Sequence, residues 1–536
     1  MNYETEQLEI GPGGAPGDAG GQAIRPASLK TNAAANALAY AAAVAAALLV
    51  SPFLLHRLGD SRYGVLSLSS DLNGYYGLLD IGVRGAVAYY VARHQAKGDW
   101  GSSRDTVRTA FWFLAVAAAV VISIGLTVAV YFPKLFNVGN TNPREASLSV
   151  AIIVVVFGLN LPFSLPNAIL NGVRRIDLIA WTEIGCRTLS ACAVYVVLRL
   201  GGGLVEVSLA QVGGTMLVWI VLYAQMRRLG LRMPIWPISF SRRASKDLFA
   251  VGSANMVFNL SVLLINQMQL IIVGSFLGTA VVAHFSMGRY LPVQFHAFIC
   301  AFSMTLTTAF THYHTSGLKP ELKRIYLSSS RLIGALSCFV AGGIAVFGKP
   351  FLTLWIGSKY TSGPLLSRSD VILLILLFAT LPRTFLNVSA QYLLGSRRLR
   401  FLTVLRSVEA GVNVLLSLLL VRWLGPVGVA LGTAIPMIVT HVVFLLPYSL
   451  GMLEIPMAAF WREVLRPSMV LGGLTAGSGL LLSSLRTPDS WSVLAAEALV
   501  VSVLAMALSW WLVLGEPERA TIKVRLRALA GAGGTP

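Results

Sequence analysis

The 536 residues are 55% hydrophobic and only 12% charged, with a mean hydropathy of +0.71, which excludes a soluble globular core and points to a polytopic membrane protein. A formal charge of +19 would suggest nucleic-acid binding in a soluble chain, but in a membrane protein its meaning depends on which side the Lys and Arg fall. The four cysteines (Cys186, Cys192, Cys300, Cys338) lie in apolar spans without a CxxC, so neither a disulfide framework nor a zinc site is indicated.

Residues 1–30 are rich in Gly, Ala and Pro and lack a basic n-region followed by an apolar core, which predicts a disordered cytoplasmic tail rather than a signal peptide. Apolar runs then predict spans near 32–55, 64–93, 109–132, 147–170, 178–198, 207–225, 248–276, 281–312, 325–347, 367–394, 401–423, 427–448, 468–485 and 491–514. That makes about fourteen spans, with both termini on one side. The fold class expected is an all-α integral membrane protein.

Alternate connections carry clusters such as Arg104 and Arg108, Arg174 and Arg175, Arg227 to Lys246, Lys319 to Arg324, Arg397 to Arg400, and Arg462 with Arg466. The opposite loops hold scattered single charges such as Arg57, Lys134 and Lys359, roughly a threefold bias that makes the basic side cytoplasmic. Most of the positive charge is therefore an orientation signal beside anionic lipid, not a nucleic-acid footprint.

The chain also repeats itself. Leu58-Gly59 matches Leu277-Gly278, which brings Asn36 onto Asn255, and Leu161-Pro162 with Gly172, Arg174 and Arg175 matches Leu381-Pro382 with Gly395, Arg397 and Arg398. The offset is close to 220 residues, or six helices, so the halves run parallel and are related by a pseudo-two-fold along the membrane normal. The segments expected are a six-helix lobe over 31–226, a basic linker over 227–246, a second six-helix lobe over 247–450, two further helices over 464–515 and a basic tail over 516–536.

The first two spans carry a recognisable pattern: Asn36, then Pro52, Leu54, Leu55, Arg57, Leu58 and Gly59, then Tyr63, Gly64, Leu78, Leu79, Asp80, Gly82, Ala92 and Arg93. This resembles the start of the Wzx-type polysaccharide flippases, within the superfamily that also holds lipid II flippases and multidrug and toxin extruders. The resemblance implies a V-shaped pair of bundles around a central cavity that opens alternately to each face. It also implies an undecaprenyl-diphosphate carrier and the bacterial cytoplasmic membrane.

No GxSxG, HExxH or Walker A motif is present, and every connection is short, so no catalytic residue, resident cofactor or metal is expected. His312 and His314, two apart at a helix end, do not share a face. Intramembrane charges carry more information, because an ionisable group in hydrocarbon costs roughly 2.5–3.5 kcal/mol on insertion scales and so faces protein or water. Asp80 and Arg84, Glu183 and Arg187, and Arg406 and Glu409 stand at helical pairing distance.

Arg289 and Arg383 have no carboxylate at such spacing, which makes them, with Arg187 and Arg84, the candidate anion-binding cations. Asp71 is an unpaired carboxylate in the opposite lobe. Since Ser70 aligns with Arg289, Asp71 either bridges to that arginine or, like Asp80, binds a coupling proton or sodium ion. Asn36, Asn255, Tyr75 and Gln294 add amides and a phenol that suit hydroxyl-rich sugars, while guanidinium suits phosphate.

The function expected is a flippase for a lipid-linked oligosaccharide, in contact with membrane lipids and polysaccharide polymerase or assembly proteins, and not an enzyme. Alternatives are a cation-coupled drug extruder of the same superfamily, which should favour carboxylates and aromatics, or a lipid II-type flippase. A membrane glycan polymerase would need a large external loop that this chain lacks.

Overall fold

An apolar stretch in a bilayer has no water to satisfy its peptide groups, so it closes its own hydrogen bonds as a helix. The computed structural model describes residues 29–76, 83–96, 100–231, 256–486, 488–513 and 519. The first lobe comprises α1 (Leu29–Leu58), α2 (Asp60–Tyr76), α3 (Val83–Ala96), α4 (Trp100–Leu135), α5 (Pro143–Phe163), α6 (Leu165–Gly172), α7 (Ile176–Arg199) and α8 (Leu204–Arg228). The second lobe follows with α9 (Met256–Leu277), α10 (Thr279–Thr315), α11 (Lys319–Ile356), α12 (Ser369–Phe385), α13 (Asn387–Gly395), α14 (Leu399–Val439) and α15 (Leu446–Met452). α16 (Met457–Phe460), α17 (Arg466–Leu485) and α18 (Trp491–Leu512) form the appendage.

Eleven helical segments among the described residues are long and apolar enough to cross a membrane. One of them, Leu399–Met452, turns back at Gly425 (φ 56°, ψ −138°) and holds two spans. With α7 and the α2–α3 pair this gives the fourteen-span, two-lobed architecture. Several helices are longer than expected: α4 starts at Trp100 and the first appendage helix at Met457, where a π-helical turn over Trp461–Leu465 carries it into α17. The expected start of the seventh span at 248 lies outside the described residues.

The repeat is written in the turns. Gly59 and Gly278 both have left-handed φ, as do Gly201 and Gly425, Gly230 and Glu454, and Arg174 and Arg397, each pair separated by close to 220 residues. The arginines end α6 and α13 with the same hydrogen bonds. Arg175 N–H donates to Leu170 O at 2.9 Å and Arg398 N–H to Leu393 O at 2.9 Å, the six-to-one closure of a Schellman turn. A non-glycine residue at this left-handed position costs about 1–2 kcal/mol, so both halves keep the same strained solution. Pro162 and Pro382 match as well: each removes a helical N–H shortly before the break that separates α5 from α6 and α12 from α13.

Packing shows where the lobes meet. Toward the face opposite the basic loops, one apolar cluster includes Leu58, Val65 and Phe132 of the first lobe together with Ile272, Phe285 and Ile372 of the second. Toward the basic face the lobes have separate cores. Val87, Leu114, Leu170 and Met226 gather in one, and Phe310, Tyr326, Tyr392 and Leu402 in the other. Among the described residues, the two bundles thus share a core at the far face and keep separate cores at the basic face.

Candidate functional site

At mid-membrane, α2 of the first lobe packs against α9 and α10 of the second. The contact brings Asp71 and Arg289 together: Arg289 Nη2 donates to Asp71 Oδ1 at 2.6 Å and Nη1 donates to Asn266 O at 3.1 Å. With its amide nitrogen turned inward, Gln267 donates to both Asp71 oxygens at 3.1 and 3.2 Å. Asp71 is 6% exposed, so the carboxylate is held by donors from two helices of the other lobe. Of the two roles read from sequence, Asp71 takes the bridge in this conformation.

Arg383 lies in the last turn of α12, beside the α12–α13 break. Asn266 Nδ2 donates to Val262 O at 2.8 Å, which turns Asn266 Oδ1 toward Arg383 Nη1 at 3.4 Å. The buried Arg383 Nε has no hydrogen-bond partner. Its neighbour Arg406 is paired: Nη1 donates to Glu409 Oε2 at 2.7 Å, Nη2 meets His441 Nε2 at 3.1 Å, and Thr440 Oγ1 also donates to Glu409 Oε2, while Glu409 Oε1 has no hydrogen-bond partner. Because His441 Nδ1 lies 2.7 Å from Met437 O, Nδ1 carries the proton and Nε2 accepts from the arginine. A cross-helix chain of Asn387 to Cys300 Sγ (3.2 Å), Gln391 to Asn387 (3.0 Å) and Thr307 to Gln391 closes this wall. Arg383 is therefore a guanidinium with one long amide contact, in a wall whose other charges are matched.

The other two candidate arginines lie elsewhere. Arg84 and Arg187 line a cavity of about 690 Å3 inside the first lobe, with Glu183, Asn160 and Trp219. Arg187 Nη2 donates to Glu183 Oε2 at 3.1 Å, as its helical spacing suggested. Gln294 accepts from Tyr40 on α1 at 2.9 Å, a further cross-lobe bond. Asp80 and Asn255 lie outside the described residues, as do the side chains of Asn36 and Tyr75. The four cysteines are free, and no group of metal-ligating side chains forms among the described residues.

Sequence reasoning missed the seal at the far face. Asp60, the first residue of α2, accepts from Lys359 Nζ at 2.6 Å and from the Tyr360 hydroxyl, and His284 Nε2 faces it at 3.6 Å. Lys359 and Tyr360 belong to the second-lobe loop after α11, and Trp355 in the last turn of α11 donates from Nε1 to Leu48 O at 2.6 Å. Thr279 N–H donates to Asn137 O at 2.9 Å alongside. Burial pushes the Tyr360 phenol up, and the Asp60 carboxylate acts in the same direction, so Tyr360 remains a donor across the physiological range.

Asp60→Asn removes the charge that gathers these donors, and a hydrogen bond to a charged group is worth about 1.5–3 kcal/mol. We expect roughly tenfold or greater loosening of the seal. It is measured as the rate at which an impermeant maleimide, added on this face, reaches a cysteine placed by Ser67→Cys; an unchanged rate would remove Asp60 from the seal.

Residues 29–307 match the family described as polysaccharide biosynthesis protein. Over 90% of its length the chain is 23% identical to the uncharacterized membrane protein EpsK of Bacillus subtilis (strain 168), covering 95% of that protein. Among solved structures it is similar to lipid II flippase MurJ in an inward closed conformation (TM-score 0.67, 11% identity, 88% of this chain and 98% of that one). It is also similar to an inward-facing multidrug resistance MATE family transporter of the MOP superfamily (TM-score 0.64, 16% identity, 80% and 95%). With a family match over more than half its length and the fold of the MOP superfamily, the chain belongs to the polysaccharide biosynthesis protein family.

Proposed function

We propose that this protein is a flippase that moves an undecaprenyl-diphosphate-linked oligosaccharide from the inner to the outer leaflet of the bacterial cytoplasmic membrane by alternating access. The basic face is then cytoplasmic, with both termini on that side, and the conformation described is sealed outside and parted inside. One observation carries the assignment: Arg383, in the second-lobe wall, holds only a 3.4 Å contact to an amide oxygen and an unpaired Nε. A guanidinium so placed offers two parallel donors to a phosphate oxygen pair. The prenyl tail stays in lipid while the diphosphate crosses. A drug extruder for cationic compounds would place carboxylates here instead, and Glu409 is already neutralised by Arg406.

The test is surface-glycan assembly in cells carrying Arg383→Ala or Arg383→Lys. We expect Arg383→Ala to reduce glycan output at least tenfold with unchanged protein in the membrane, the loss of a bidentate charge-assisted contact. Arg383→Lys should recover only part, because an ammonium is a point charge without the fork. Full output from Arg383→Ala would overturn the assignment of this residue to the diphosphate.

A further inference from the structure

The far face is sparing with cations, yet three of its arginines lie on aromatic rings instead of carboxylates. Arg57 at the end of α1 and Arg199 at the end of α7 share the Phe53 ring, with Cζ 5.8 and 5.7 Å from its centre. In the second lobe Arg422, just before the Gly425 turn, lies 5.9 Å over the ring of Phe276 at the end of α9. α1 packs on α7 as α9 packs on α14, so the arrangement recurs in the equivalent helix pair of each lobe. Phe53 and Phe276 do not match in the repeat, so each lobe reaches it with different residues.

Ion pairing does not account for these arginines. The nearby carboxylates are engaged: Asp60 by Lys359, Glu145 by Arg62 at 3.0 Å, and Glu206 by the Gly203 N–H at 2.8 Å. Among the described residues no carboxylate pairs with Arg57, Arg199 or Arg422, and all three are exposed. Arg199 Nε donates to the Tyr195 hydroxyl at 2.8 Å, and the Tyr195 ring sits 4.8 Å from that of Phe53. The side chain is thus held in place with both Nη groups left over. Two like charges on one ring repel, and the ring face offsets this only in part; an anion within reach of both removes the conflict.

We propose that the far-face end of each lobe binds the phosphate of an anionic phospholipid headgroup, with Arg57 and Arg199 forming the stronger site and Arg422 the weaker. The depth fits: these are helix ends beside Leu200, 82% exposed, and Trp423, 84% exposed, and exposed apolar and indole side chains at a span's end belong to the membrane interface. A guanidinium fork matches phosphate oxygens, and the apolar neighbours meet the upper acyl chain. The inference needs only a membrane and stands apart from the flippase reading. Each lobe is then gripped at its own rim, on the face where the two must part.

The experiment places the full chain in phosphatidylcholine nanodiscs, in which rising fractions of lipid are replaced by brominated phosphatidylglycerol or brominated phosphatidylcholine, each quenching the tryptophans it touches. Leu200→Trp reports the first-lobe site, as emission gained over the parent chain. Trp423 reports the second, as emission lost in Trp423→Phe. We expect phosphatidylglycerol to be preferred over phosphatidylcholine about tenfold or more at the first and about fivefold at the second, in step with the arginines near each surface. Arg57→Gln with Arg199→Gln should bring the first preference to about onefold and leave the second unchanged, and Arg422→Gln should do the reverse. Lysine at the same positions should keep part of the preference.

Equal quenching by the two lipids at Leu200→Trp, or a preference that survives the double glutamine variant, would overturn the proposal. Release of the bound lipid by micromolar inorganic pyrophosphate would reassign the arginines to a free phosphate-bearing ligand and overturn it too. Arg383→Ala should leave both preferences unchanged, so a failure here and a failure of the Arg383 assignment are read in different variants.

Discussion

Asp71→Ala and Arg289→Ala are each expected to abolish glycan output and to lower the thermal stability of the purified protein. Each single substitution leaves a charge in a buried, mid-membrane contact between lobes with its chief partner gone, which costs about 3–5 kcal/mol. Arg289 would retain only Asn266 O, and Asp71 only Gln267. The informative variant is Asp71→Leu with Arg289→Leu, because exchanging a buried pair for apolar groups of similar volume is often close to neutral. We expect that double variant to regain thermal stability but not glycan output. The contact must open when the lobes part at the far face, and an apolar plug that cannot exchange partners with water or ligand holds the sealed state. Restored output in the double variant would reduce the bridge to a strut.

Asp71→Asn bears on coupling. If Asp71 takes up a proton or sodium ion when released from Arg289, translocation by Asp71→Asn in proteoliposomes will no longer respond to an imposed ion gradient. Retained response would exclude that role.

Gly64→Val should be as severe by an opposite route. A Cβ at Gly64 would lie 1.8 Å from Thr279 O, a backbone atom at the start of α10 in the second lobe. A carbonyl in a helix cannot swing aside as a flexible side chain can, so the lobes must separate by a few ångströms at the far face. Such a variant is expected to lose transport and to leave the cysteine of Ser67→Cys open to impermeant maleimide from outside. Gly85→Ala, whose added Cβ meets nothing within 4 Å, is the control. Wild-type protection from maleimide in Gly64→Val would mean that the seal forms without this close approach.

Much of the architecture was legible because membrane physics leaves few options. Apolar runs become helices, and the matching of Gly59 with Gly278 and of Arg174 with Arg397 is visible as residue types before it is visible as backbone geometry. The Asp71–Arg289 contact was partly legible, since two unpaired opposite charges at matched repeat positions had few other ways to be satisfied. What separates Arg383 from Arg187 was not. Both stand in apolar helices, yet one faces the second-lobe wall and the other a cavity within the first lobe, a matter of helix rotation that residue spacing alone does not give.

The seal was hidden for a related reason. Lys359 reads as a scattered loop charge, and only the fold carries it to Asp60, some three hundred residues away. Asn266 looked like one amide among many, although its backbone oxygen and its side-chain oxygen serve two different arginines.

The appendage α17–α18 lies along α11 through close glycine contacts, where Gly342 meets Gly472 O and Gly472 meets Cys338. It therefore travels as cargo on one half alone. Each swing of that half displaces a larger footprint of lipid than a swing of its counterpart, so lateral pressure and bilayer thickness act unequally on the two. The turnover cycle of a pseudo-symmetric machine is in this way made asymmetric by the membrane around it.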